Sequence, residues 1–176
     1  MRRRSRGSAA ERPAGREAAD VADPYALALQ WLSTRELSAR QLRDRLTRRQ
    51  VPPDAIEEAL ARLRAGGVLD ESRMARAAAR LETAIRGRGP ARTRQRLRAL
   101  GLSDDDVEQA VTAALEEVDL STLLDRALDK RLRRERGDLS APATVRRVVA
   151  ALVRQGFAPG AVLARLRKRG ADVDAG

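Results

Sequence analysis

Apolar positions recur along this chain at helical spacing, and the clearest instance runs from Leu37 to Asp70. Leu42 and Leu46 lie on one side of a helix opened by Ser38, a residue type suited to an N-cap. Val51 and the Pro52-Pro53 pair interrupt it, since proline cannot continue a helix but fits a first turn. Ile56, Ala59, Leu60 and Leu63 then form an i, i+3, i+4, i+7 stripe that Gly66-Gly67 closes. Upstream, Asp23-Pro24 signals the start of a helix over about 24–35, with Tyr25, Leu29 and Leu32 on one face. Trp31 widens that face together with Leu27 and Ala28, and is read as core in preference to a partner anchor.

The pattern of the opening stretch returns twice. Shifted by 51 residues, Leu42, Leu46, Val51, Ile56 and Leu60 fall on Thr93, Leu97, Leu102, Val107 and Val111. Shifted by 106, they fall on Val148, Leu152, Phe157, Val162 and Leu166. Thr93 is the one polar residue in the set. The turn signal travels with the pattern, as Gln50-Val51, Gly101-Leu102 and Gly156-Phe157. Each copy is preceded by another helical segment, the second over about 70–86 and the third over about 119–136. The expected fold is therefore all-α, an elongated array of three tandem three-helix repeats at 23–67, 68–117 and 118–170. No segment alternates as a strand would, so no sheet is expected. Residues 1–22 hold six arginines and no large apolar residue before Val21, and residues 171–176 are short and polar. Both ends are expected to be disordered, and the N-terminal one reads as a solvated basic tail or as an arm for phosphate.

Charge changes the picture next. Lys+Arg number 36 against 25 Asp+Glu, a formal net charge of +11, carried almost wholly by arginine. Such an excess calls for an anionic partner, whether nucleic acid, an acidic protein surface or an anionic membrane. With Leu42 and Leu46 inward, Arg40, Arg43 and Arg48 project outward, and Arg45 lies at the flank. The second repeat matches them with Arg92, Arg96 and Arg98, and the third with Arg146, Arg147 and Arg154. These nine arginines are the candidate contact residues, on a basic strip along the middle helices. A solvated face is the plainer alternative, but it needs no consistent sign. The third helices instead begin with acids, Asp54, Glu57 and Glu58 and then Asp104 to Asp106 and Glu108, as the helix dipole favours.

Composition also excludes chemistry. The chain has no Cys and no His, which removes disulfides, thiolate catalysis, Cys/His zinc sites and every histidine base. Trp31, Tyr25 and Phe157 are its only aromatic residues, too few for base-stacking platforms. Gly87-Arg88-Gly89 is followed by Pro90 and is a linker, not a phosphate loop. Asp104-Asp105-Asp106 reads as a helix start, not a metal site. No enzyme activity, cofactor or metal is expected, and no run reaches membrane-spanning length. The stretch 37–70 superficially matches a helix-turn-helix. A recognition helix beginning Asp54, Glu57, Glu58 would, however, be repelled by phosphates.

Three stretches, Glu36-Leu37-Ser38 with Gln41-Leu42 and Leu46, Gly67 to Ala75, and Arg88-Gly89-Pro90 with Leu97, Gly101-Leu102 and Val107, together resemble the RecX family of bacterial recombination regulators. Glu36-Leu37-Ser38 with Gln41-Leu42 and Leu46 is similar to the family's R-x-x-S-x-x-E-L-x-x-K-L segment. The run from Gly67 to Ala75 is similar to its G-x-L-[ND]-D-x-x-[FY]-A junction, with Met74 at the aromatic position. Arg88-Gly89-Pro90 with Leu97, Gly101-Leu102 and Val107 is similar to a third family segment, with Thr93 and Arg94 where an aliphatic residue is usual. The lack of Cys and of any membrane-spanning or signal-like run reads as a soluble, cytoplasmic protein, expected to be a monomer, and the resemblance implies a regulator that binds the RecA filament. It also implies inhibition of RecA's ATPase, strand-exchange and coprotease activities in DNA repair and the SOS response. The alternative reading is a sequence-nonspecific DNA-binding protein that acts without RecA, its arginines on single- or double-stranded DNA phosphates.

Overall fold

The computed structural model describes residues 23–135 and 138–170, so the expectations for the two termini lie outside the described residues. Among these, the chain forms nine α-helices, one π-helical turn and no strand. The first repeat holds α1 (Pro24–Thr34), α2 (Ala39–Arg48) and α3 (Pro53–Ala65). The second holds α4 (Glu71–Arg80), the π-turn (Leu81–Ile85), α5 (Pro90–Ala99) and α6 (Asp104–Glu116). The third holds α7 (Leu120–Leu132), α8 (Pro142–Arg154) and α9 (Pro159–Arg167). Among the described residues no helix is long and apolar enough to cross a membrane.

Local chemistry sets the boundaries. Asp23, Asp70, Ser103 and Asp119 cap α1, α4, α6 and α7 by accepting backbone N–H bonds from the first turn. Ser38 goes further and forms a reciprocal capping box with Gln41. Proline sits at the first helical position of α1, α3, α5, α8 and α9, where its missing N–H costs nothing.

All fifteen repeated positions are buried, each at 6 % exposure or less. They form the centre of three separate cores, one per repeat. Thr93 fits among them because its hydroxyl donates to the Gly89 carbonyl, 3.1 Å away, so no polar atom is left unpaired. Each fully buried leucine contributes about 1.5–3 kcal/mol by leaving water. Trp31 packs at the edge of the first core, with the guanidinium groups of Arg45 and Arg49 5.6 and 5.7 Å from its ring centre. Met74 is buried in the second core.

Consecutive repeats meet through one recurring joint. The residue that opens the middle helix of one repeat touches the turn before the last helix of the next. At the first joint the Ser38 hydroxyl donates to the Leu100 carbonyl at 2.6 Å, and Gly101 follows with φ 84°. At the second, the Gly89 N–H donates to the Gln155 carbonyl at 2.8 Å, and Gly156 follows with φ 97°. The Ala91 N–H adds a bond to the Gly156 carbonyl at 3.1 Å. A Cβ on Gly156 would stand 2.3 Å from the Arg92 nitrogen, so glycine is required there for space as well as for dihedral angle. The equivalent position in the first repeat is Gln50, the one described non-glycine residue with positive φ, at 60°. It is exposed, and so keeps a side chain that a joint would exclude.

The segment expected as a single helix over about 70–86 differs from expectation in one respect. After Arg80 it widens into the π-turn, with the Arg86 N–H reaching back five residues to the Leu81 carbonyl. The extra residue in the turn carries Glu82 and Thr83 inward. The Thr83 hydroxyl donates to the Ala79 carbonyl at 2.9 Å, and Glu82 is held by Arg86 at 2.6 Å. Ile85 is left 78 % exposed.

Candidate binding surface

The arginines of the middle helices divide by their partners. Arg43 forms a two-point pair with Glu57 of α3, its Nε 2.7 Å from Oε1. That contact holds the Glu57 carboxyl below its usual range. Arg98 is shared between Asp104 and Glu108 of α6, and Arg147 reaches Glu135 and Thr144. Arg94, outside the expected strip, also binds Glu108. The acids that open α3 and α6 therefore do more than complement the helix dipole. They neutralise part of the arginine strip within their own repeat.

The remaining candidates other than Arg146 gather at the joints. Arg48 and Arg96 line one recess of about 370 Å³ at the first joint, in company with Glu36 and Asp44. Arg40 lays its side-chain stem across Gly101. Arg92 and Arg154 line a recess of about 460 Å³ at the second joint, together with Arg88. Arg92 donates to the neutral Gln95 at 2.7 Å, and Arg154 has no ion pair with a described residue. Arg146 is exposed on α8 and lines neither recess.

A neighbouring recess of about 430 Å³ was not anticipated. It lies between the π-turn and its following loop on one side and α7 on the other, and Arg88 lines both it and the Arg92–Arg154 recess. Arg126 and Lys130 line it from α7, and Arg134 from the turn that follows α7. These residues recur at i, i+4, i+8, a spacing readable from the sequence but lying outside the middle helices. The acids of α7 point elsewhere: Asp125 pairs with Arg165 and Arg169, and Asp129 with Arg169, all toward α9. Arg131 is occupied by Glu135 at 2.7 Å and Arg86 by Glu82. Arg88, Arg126, Lys130 and Arg134 have no ion pair among the described residues. With Arg92 and Arg154 they make six uncompensated cations over two joined recesses.

Among the described residues no group of three or more acidic side chains is placed to hold a metal. Asp104 belongs to Arg98, while the Asp106 carboxylate accepts from the Ser103 and Ser72 hydroxyls, both at 2.6 Å, which lowers its pKa.

Comparison with known proteins places this architecture. The family model described as "RecX, first three-helix domain" matches residues 25–63. The regulatory protein RecX of Streptomyces lividans is 31 % identical over 150 residues, covering 84 % of this chain and 78 % of that protein. The chain belongs to the RecX family. The RecX of Geobacillus kaustophilus is 31 % identical over 138 residues, which cover 78 % of this chain and 51 % of that relative. The RecX of Levilactobacillus brevis is matched over 46 % of its length, so the chain spans about half of these two relatives. The crystal structure of RecX from Lactobacillus salivarius shares the fold, with a TM-score of 0.72 at 19 % identity, over 86 % of this chain and 97 % of that one.

Proposed function

We propose that this chain regulates the RecA recombinase by binding its filament, lowering ATP turnover, strand exchange and coprotease action during DNA repair and the SOS response. The observation that carries the reading is membership of a family whose relatives are named regulatory protein RecX. The binding surface of this reading is built from the repeats at 23–67, 68–117 and 118–170. Each presents middle-helix arginines, of which Arg40, Arg48, Arg92, Arg96, Arg146 and Arg154 have no described ion pair. Weak contacts from successive repeats add through effective concentration when the partner is itself periodic. The protein acts as a cytoplasmic monomer with no cofactor.

The test is RecA ATP turnover on single-stranded DNA at moderate salt, with this protein added up to equimolar amounts. A fall in turnover is expected, and unchanged turnover refutes the reading. The uncompensated cations also suit a DNA-binding protein that acts alone. Steeply salt-dependent binding to naked DNA, with RecA turnover unaffected, would favour that second reading.

A further inference from the structure

We propose that the recess between the π-turn and α7 is a track for the phosphodiester backbone of a single nucleic-acid strand. The strand runs along Arg126, Lys130 and Arg134, crosses the second joint over Arg88, and continues to Arg92 and Arg154. Both acids of α7, Asp125 and Asp129, are already paired, with Arg165 of α9 and with Arg169 just after it. Among the described residues no acid lines the recess, and Glu82 and Glu135 are held by Arg86 and by Arg131 with Arg147. These acids are matched by other arginines, so the recess keeps a net positive charge. Four residues of helix rise about 6 Å, so Arg126 and Lys130 on α7 are spaced to meet successive phosphates of one strand, and Arg134 in the turn after the helix extends the row. Guanidinium groups bind phosphate oxygens two at a time, which suits a track richer in arginine than in lysine. The chain carries only three aromatic residues, and none of them lines this recess, so the strand is held by its backbone and the binding is insensitive to base sequence. The track crosses from α7 to the joint, whereas the sequence pattern alone suggested contact along the middle helices.

The test measures fluorescence anisotropy of a labelled mixed-sequence single-stranded oligonucleotide, without RecA, as a function of salt. The variant Arg126→Gln/Lys130→Gln/Arg134→Gln is compared with a matched control, Arg62→Gln/Arg73→Gln/Arg76→Gln, which removes the same charge elsewhere. Circular dichroism checks that both remain helical. Each phosphate contact contributes about 0.7 to the slope of log affinity against log salt. Three lost contacts should lower the recess variant's slope by about 2, equivalent to about 100-fold weaker binding at 0.1 M salt. The control should keep the wild-type slope. Equal losses in both variants would mean that net charge alone drives binding, and wild-type binding by the recess variant would remove the track. If that variant keeps oligonucleotide binding but no longer lowers RecA turnover, the recess contacts protein and the proposal fails. RecA turnover without any oligonucleotide effect bears only on the regulatory reading, so the two can fail separately.

Discussion

Replacing Gly156 with alanine adds a single methyl group to the second joint. The backbone there has φ 97°, a conformation that costs an L-residue about 1–2 kcal/mol. The new Cβ would stand 2.3 Å from the Arg92 nitrogen, 2.6 Å from the Arg92 Cβ and 2.8 Å from the Gly89 carbonyl oxygen. Two of those three neighbours are backbone, so no side-chain rotation relieves the overlap and the joint must open. Opening stretches the Gly89–Gln155 and Ala91–Gly156 bonds, each of which contributes about 0.5–1.5 kcal/mol. The expected loss is about 2–5 kcal/mol. Gly67→Ala is the matching control, because Gly67 has φ 66° but nothing within 4 Å of an added Cβ, leaving only the dihedral cost of about 1–2 kcal/mol. Gly101→Ala should fall between them, since the added methyl meets the Arg40 side chain, whose outer atoms can move. Urea denaturation followed by circular dichroism ranks the three variants. Hydrogen exchange at Gly89 and Ala91 then reads the joint itself, and should accelerate in Gly156→Ala alone. Equal loss in Gly156→Ala and Gly67→Ala, with unchanged exchange, would refute the account of the joint as a close backbone contact.

Ser38→Ala removes both a capping-box hydroxyl and the donor to Leu100, and should lower stability by about 1–2 kcal/mol in urea titrations, with Ser38→Thr recovering part of it. The Asp106 carboxylate is held below its ordinary value by the Ser103 and Ser72 hydroxyls. Its contribution is therefore present above the unfolded value of about 3.9 and is lost as pH falls through the lower folded value. Asp106→Asn should be less stable than the parent at pH 6, and the difference should shrink on acidification from about pH 5 to pH 3. Thermal melts across that range decide the matter, and a pH-independent difference would exclude the carboxylate as its cause.

The three-repeat plan was legible because burial has a period. Positions spaced as Leu42, Leu46, Val51, Ile56 and Leu60 must face one way, and all three sets do. Caps at Asp23, Ser38 and Ser103 were legible for a similarly local reason, since side chain and helix start lie within three residues. The partners of the arginines were not. Whether Arg43 is free or bound depends on Glu57, fourteen residues away on a different helix, and Arg147 depends on Glu135 across a loop. The π-turn was hidden too, because one extra residue per turn leaves the apolar pattern almost unchanged while rotating Glu82 inward. The close approach of Gly156 to Arg92 joins two repeats, and no local pattern encodes it.

The two joints differ in mechanical compliance. At the first, Ser38 holds Leu100, and Glu71 accepts from the Ala39 N–H and pairs with Arg64, each link with a rotatable side chain at one end or both, while Gly101 faces the side chain of Arg40. At the second, two main-chain bonds and a backbone contact fix Gly89 against Gly156. Links through rotatable side chains yield more readily than main-chain ones, so a bending load on the array is expected to be taken up first at the first joint, with repeats two and three moving more nearly together. A periodic partner whose pitch changes would be followed by the first repeat, and the cations of α5, α7 and α8 would keep their spacing throughout.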